Sequence, residues 1–421
     1  MKAPQNRKVF VIGYGAATPL GRTFPLTWEG AVAGKAGYRY ATRCHVNKNC
    51  AIVGEIPDWD PLTLGIADEK EIYNWNAAFV LLTIAVCREA MEDGGLIIDS
   101  QTAPRTACII GSSLSGLDAF RIAGENLREK GPLRVSPYLL PNVCANLPAG
   151  KAGMELGFTG PIFSPQGACA TGNYAMAIGA RMIRDGDCDF ALTGGVDMPI
   201  IPEILYGFAN MNATIKIYPH DRAHDNPSQA SRPFSIDRKG FVAAEGGSVL
   251  ILAAEEAVRA HGLQPKAEIV GIGWSSDAHH FTRPNKDTIV RAIREAIDDA
   301  GLQPEDIGAV NAHGTSTAAG DTAEIDSLRA IFGSNLGQTP VTANKSQIGH
   351  SLGAAGAIEN ALLIEGMQQG ILLPTINYIQ DPQFAGLDFV PDEMRRERHD
   401  TVLSNSFGFG GTNCCLIFRG V

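Results

Sequence analysis

Short apolar runs that end in glycine alternate along this chain with longer stretches whose apolar positions recur every three or four residues. Val9-Phe10-Val11-Ile12 leads into Gly13 and Gly15, and Cys108-Ile109-Ile110 leads into Gly111. Runs of this length bounded by turn residues predict buried strands. A period near 3.6 predicts helices over residues 77–93, 287–300 and 322–332, with Asp287 as an N-cap and Gly301 just past the end of the second. Strands alternating with helices imply mixed or parallel sheets covered on both faces.

The pattern occurs twice. Residues 8–15 are echoed by 267–273, residues 108–113 by 310–315, and residues 190–195 by 403–408. The turn before Cys169 is echoed by residues 341–345, after which a small-residue helix begins near His350. Duplication predicts two stacked halves in a layered α/β/α/β/α architecture. Residues 1–260 form the first half and residues 261–421 the second.

Composition narrows the function. A chain of 421 residues, 45% hydrophobic, can bury a large core, and a net charge of −10 argues against nucleic-acid binding. Nine scattered cysteines without a CxxC pair argue against a disulfide scaffold or zinc site and for a reducing, cytoplasmic compartment. Lys2, Arg7 and Lys8 precede an apolar run, but Gly13, Gly15 and Pro19 break it far short of a leader or membrane span. No later segment is long and apolar enough for membrane insertion. Gly13-x-Gly15 lacks the third glycine of a dinucleotide fingerprint at Thr18, and His279-His280 match no metal spacing.

Candidate chemistry centres on Gly167-Ala168-Cys169-Ala170-Thr171-Gly172. Residues 160–166 read as a buried strand running into a tight turn, and an Ala/Gly-rich helical pattern follows Cys169. A thiol at a helix start is pushed towards thiolate by the unpaired N–H groups and the dipole, which would make Cys169 the most reactive of the nine. The alternative is a core cysteine. Two histidine segments weigh against that alternative. Asn311-Ala312-His313-Gly314-Thr315-Ser316-Thr317 follows an apolar strand, with Glu324 on the next helix. Lys345 lies five residues before His350, and Asn405-Ser406-Phe407-Gly408-Phe409-Gly410-Gly411-Thr412-Asn413 precedes the last strand.

These four segments, in this order, resemble the β-ketoacyl-acyl-carrier-protein synthases, the elongating condensing enzymes of the thiolase superfamily. The resemblance runs along nearly the whole chain and is greatest to the synthase II type, including its type II polyketide relatives. It implies a duplicated thiolase fold and decarboxylative Claisen condensation of an acyl group on Cys169 with malonyl-acyl carrier protein. His313 and His350 would stabilise the enolate, and Lys345 and Glu324 would form a charged pair supporting them. The N–H groups of Cys169 and Phe407 would form the oxyanion hole, with the Phe407 ring as a gate. Thr315, Thr317 and Thr282 would hold the phosphopantetheine arm, and Leu114 and Phe409 would meet substrate. The bland readings are helix-capping hydroxyls for Thr315 and Thr317, solvated charges for Glu324 and Lys345, and core packing for Leu114. No resident cofactor or metal is implied, because the arm arrives on the carrier. A homodimer is expected, or a heterodimer with a related subunit. Two competing readings are a non-catalytic chain-length-factor-like partner, which lacks the cysteine, and a degradative thiolase, which needs a second cysteine near the C-terminus.

Three departures stand out. Ala170 replaces a common hydroxyl residue. Residues 68–75, Asp68 to Trp75, are acidic and aromatic where the family carries basic residues for its acidic carrier. This leaves Arg128, Lys130 and Arg134, with Lys216, as the expected docking cations. The connection 210–231 looks longer than the synthase II pattern.

Overall fold

The computed structural model describes residues 7–47 and 50–421, and Lys2 lies outside them. Ten strands form one hydrogen-bonded series: β1 Val9–Ala17, β2 Thr106–Gly111, β3 Ile162–Phe163, β4 Phe190–Asp197, β5 Gly246–Ala254, β6 Ala267–Ser276, β7 Ala309–Asn311, β8 Val341–Thr342, β9 Thr401–Gly408 and β10 Thr412–Gly420. Their spatial order is β8-β7-β9-β10-β6-β1-β5-β4-β2-β3. Each half therefore has one strand order, β3-β2-β4-β5-β1 in the first and β8-β7-β9-β10-β6 in the second. Directions match too. Strand β2 runs parallel to β3 and β4 while β5 is antiparallel to β4, and β7, β8, β9 and β10 repeat this. Only two residue pairs, Phe10 with Glu268 and Val11 with Ala267, join the halves across β1 and β6.

Helices α1 Ala78–Gly94, α2 Leu117–Lys130, α3 Thr171–Arg184, α4 Lys286–Asp299, α5 Ala318–Phe332 and α6 Ala355–Gln369 complete the layers. Helix α1 packs on β1 and β5, and α4 packs on β6 and β10, which places them on the outer faces. Helices α3 and α6 pack against each other between the halves. That contact is close enough that a Cβ at Gly172 would lie 2.6 Å from the Ala357 nitrogen, which is why both helices are rich in small residues. Strands β2, β4 and β5 are buried at every position, so they read as continuous apolar runs and not as alternations. The arrangement is the α/β, thiolase-like layering expected from the repeat.

Local departures have physical causes. Asn285, two residues before Asp287, caps α4, because its side chain accepts the Asp287 N–H. The segment 160–166 holds only the two-residue strand β3, with Ile162 37% and Phe163 36% exposed, because β3 is the edge of the series. After His350 a short 3₁₀ turn, Leu352–Ala354, comes before α6. Among the described residues no helix is long and apolar enough to cross a membrane.

Candidate active site

Cys169 sits between the edge strand β3 and helix α3. Ala168 takes a left-handed conformation, φ 48°, and the turn closes through Ala170 N–H to Gly167 O and Thr171 Oγ1 to Ala168 O, at 3.0 and 2.7 Å. Ser113 Oγ also donates to Ala168 O at 2.7 Å, so the loop after β2 braces the strained residue. The thiol is buried, and burial pushes its pKa up to about 12, against the lowering influence of Lys345 and a backbone N–H of Phe409. This corrects the expected shift towards thiolate. A helix terminus contributes up to about 2 kcal/mol and fades within a turn, whereas full burial moves a group by as much as about 3–5 pKa units. Helix α3 starts only at Thr171, and desolvation wins.

His313 follows β7, and its N–H and that of Gly314 donate to the two carboxylate oxygens of Glu324 on α5, both at 2.8 Å. His350 is held by its own backbone, its N–H on Val242 O at 2.7 Å and its carbonyl accepting from Ala244 N–H. The two imidazole rings meet edge to face at 5.5 Å, and both Nδ1 atoms are buried without a hydrogen-bond partner. Burial, reinforced by the Lys345 charge, holds both well below the usual histidine range, so both are neutral at pH 7.

The charged pair differs from the expected one. Lys345 Nζ bonds Glu359 Oε1 of α6 at 2.5 Å, while Glu324 accepts the two N–H groups above and Asn405 Nδ2. Lys345 acts on Glu324 only through its field. Sequence reasoning missed Glu359, although an acid in the small-residue first turns of α6 was a usable signal. It also missed Asp197, whose buried carboxylate accepts Ser112 Oγ and the N–H groups of Ser113, Leu114 and Gly353, tying the Leu114 loop to the turn after His350.

A cavity of about 710 Å³ joins these parts. Cys169, His313 and His350 line it together with Leu114, Thr282, Thr315, Thr317, Phe407 and Phe409. Thr315 and Thr317 hydroxyls lie 2.9 Å apart, and Thr317 also caps α5 by accepting Gly320 N–H, so its capping and cavity-lining readings both hold. Lys345 and Glu324 lie behind the wall. Phe407 requires a correction. Its backbone belongs to β9, opposite Asn413, and its ring packs on His313 at 5.6 Å; the N–H facing the sulfur is that of Phe409, two residues on. Gly408 permits this approach, since a Cβ there would meet Gly167 O at 2.5 Å.

Arg128, Lys130 and Arg134 are exposed but none lines the cavity, whose cations are instead Lys239 and Arg283. Of the other cysteines Cys144 is exposed, while Cys414 and Cys415 are fully buried in β10.

Two family models match the chain, the N-terminal domain of the beta-ketoacyl synthases over residues 6–257 and their C-terminal domain over residues 266–379. The 3-oxoacyl-[acyl-carrier-protein] synthase 2 of Coxiella burnetii is 35% identical over 420 residues, 99% of each chain. Among solved structures, the ishigamide ketosynthase/chain length factor superposes with a TM-score of 0.88 at 30% identity, covering 99% of this chain and 100% of that one. A beta-ketoacyl synthase from Burkholderia phymatum gives 0.89 at 29% identity with the same coverage. With a buried cysteine and two neutral histidines on one cavity, with family models matching residues 6–257 and 266–379, and with a relative 35% identical over 99% of the chain, this chain belongs to the beta-ketoacyl synthase family.

Proposed function

We propose that the chain is a 3-oxoacyl-acyl-carrier-protein synthase that elongates an acyl chain by two carbons through Cys169, His313 and His350. The convergence of these three side chains on one cavity carries the reading. In the first half-reaction the Cys169 sulfur attacks the acyl thioester. Its proton ends on the departing carrier thiol, which suits a nucleophile that rests as the neutral thiol. The tetrahedral oxyanion is met by the N–H groups of Cys169 and Phe409, the latter taking the role expected of Phe407. Thr282, Thr315 and Thr317 hold the phosphopantetheine arm.

In the second half-reaction the malonyl thioester loses carbon dioxide. The electron pair of the broken bond becomes an enolate, whose oxygen accepts hydrogen bonds from neutral His313 and His350. The enolate carbon attacks the acyl carbonyl on Cys169, the sulfur leaves with the bonding pair and recovers a proton, and the 3-oxoacyl thioester remains on the carrier. Lys345, Glu324 and Glu359 position the histidines without touching substrate.

Residues 1–260 and 261–421 act as one duplicated unit. The working state is a cytoplasmic homodimer joined along β3, and a heterodimer with a related subunit is the alternative, in view of the ketosynthase/chain length factor relative. The silent-partner reading is disfavoured because nucleophile and both histidines are present. The thiolase reading is disfavoured because Cys414 and Cys415 do not reach the cavity. Intact-mass analysis after incubation with acyl carrier protein tests the assignment: an acyl adduct is expected on Cys169, and Cys169→Ala should lose both adduct and condensation. Condensation that persists in Cys169→Ala would overturn it.

A further inference from the structure

Asp197 ends β4 behind the cavity wall, and the two half-reactions above give it no part. It is buried, and its four hydrogen-bond donors are all neutral. Oδ1 accepts Ser112 Oγ at 2.7 Å and Leu114 N–H at 3.1 Å. Oδ2 accepts Ser113 N–H at 3.0 Å and Gly353 N–H at 2.7 Å. Burial pushes its pKa up, and these four bonds pull it down. Both oxygens face backbone N–H groups, which can only donate, so the site is shaped for the carboxylate and not for the acid. A buried charge held by neutral donors alone is costly.

The donors belong to two loops, and a third loop is tied to them. Residues 112–115 follow β2, and Gly353 lies in the turn after His350. Ser113 Oγ carries the network to the Cys169 turn by donating to Ala168 O at 2.7 Å. Each of these loops holds one non-glycine residue in the left-handed region: Ser115 at φ 53°, Ala168 at 48° and Leu352 at 50°. Such residues persist only where their surroundings over-determine them. Ser115 N–H is bound by Ser112 Oγ at 2.8 Å, Ala168 O by Ser113, and Leu352 directly precedes Gly353. The fit leaves no slack, since a Cβ at Gly353 would lie 2.7 Å from Ser113 Oγ and 2.8 Å from Asp197 Oδ2. Ser113, Leu114, Ala168 and Leu352 all line the cavity with Cys169. Next to burial, the Asp197 charge also favours the neutral Cys169 thiol. The histidines are held separately, His350 by Val242 and Ala244 and His313 by Glu324.

We propose that Asp197 is a positioning residue for acyl loading, which sets three strained loops around the Cys169 sulfur and thereby fixes the acyl chains that the cavity admits to it. The proposal rests on the condensing-enzyme reading. The competing role is a general brace of the fold, which would serve both half-reactions alike. The specific role is favoured because the network reaches the cysteine side of the cavity while both imidazoles hang from other partners. Asparagine is no neutral exchange here. Each carboxylate oxygen accepts a backbone N–H, so the amide NH₂ meets one whichever way it sits.

Loading is followed by intact mass with a series of saturated acyl-acyl carrier proteins, and decarboxylation by labelled carbon dioxide release from malonyl-acyl carrier protein. Asp197→Asn should lower kcat/KM for loading of the preferred chain by about tenfold or more, the scale of one lost hydrogen bond to a charged group. It should also flatten the preference among chain lengths while leaving decarboxylation nearly unchanged. Ser113→Ala keeps the backbone N–H on Asp197 and removes only the link to Ala168. It should show the same split more weakly, and it keeps the test decisive if Asp197→Asn does not fold. The proposal is overturned if the folded variants keep the wild-type chain-length profile, or if loading and decarboxylation fall in parallel, which would make Asp197 a general brace. A wild type that takes an acyl adduct from none of the carriers would instead overturn the underlying enzymatic reading.

Discussion

Cys169 is subject to two opposing influences, the start of a helix that favours its anion and a buried position that favours its thiol. Burial prevails and holds the thiol at about 12. Alkylation of Cys169 by iodoacetamide should therefore rise about tenfold per pH unit between roughly pH 7 and 9, since only the thiolate reacts. Exposed Cys144 should be labelled first at pH 7. Peptide mapping by mass spectrometry reads both, and a rate plateau below pH 8 would contradict the buried thiol. The histidines shift the opposite way. His313→Ala or His350→Ala should still load acyl on Cys169 yet lower malonyl decarboxylation by about two to four orders of magnitude. Labelled carbon dioxide release measures this. Both folded values lie well below 6.5 while the unfolded chain titrates there, so the unfolded state takes up protons first. The two histidines therefore contribute stability that is present above pH 6.5 and is lost as pH falls towards their folded values, while decarboxylation should show no histidine ionisation between about pH 7 and 8. Glu359→Ala would leave Lys345 buried and unpaired, and urea unfolding should show a loss of about 3–5 kcal/mol.

Helix α2 and the turn after it carry Arg128, Lys130 and Arg134, the expected carrier contacts. Lys130 bonds only Asn126, and the acidic segment opposite in expectation is partly neutralised, since Lys151 Nζ meets Glu71 at 3.0 Å and lies over the Trp75 ring. Exposed pairs contribute only about 0.2–1 kcal/mol each. The double variant Lys130→Glu/Arg134→Glu should accordingly raise the carrier KM several-fold, leave kcat nearly unchanged and weaken the salt dependence. Steady-state kinetics across ionic strength decides this. An unchanged KM, combined with a rise on substituting Tyr73, which is 72% exposed, would make docking mainly apolar.

At the scale of the molecule, β3 ends the strand series with an open edge and two half-exposed apolar side chains. The helix Leu147–Leu156 packs on this strand and exposes Met154 at 75%. An uncovered apolar edge invites strand pairing with another copy. For the homodimer proposed above, Phe163→Asp should shift the protein to monomer, measurable by light scattering; a dimer unaffected by it would place the interface elsewhere.

The sequence by itself determined the elements that depend on local chemistry: glycine-terminated apolar strands, the 3.6-period helices, the order of the four motifs and the doubling of the pattern. These are short-range properties, so α4 and β2 sit within a residue or two of their expected bounds. Only the tertiary structure decided what depends on distant neighbours. Burial reversed the protonation of Cys169, helix α6 supplied Glu359 as the partner of Lys345, and the β9 ladder turned the Phe407 backbone away while bringing the Phe409 N–H to the sulfur. Desolvation and long-range pairing arise from residues far apart in the chain, and no local pattern carries them.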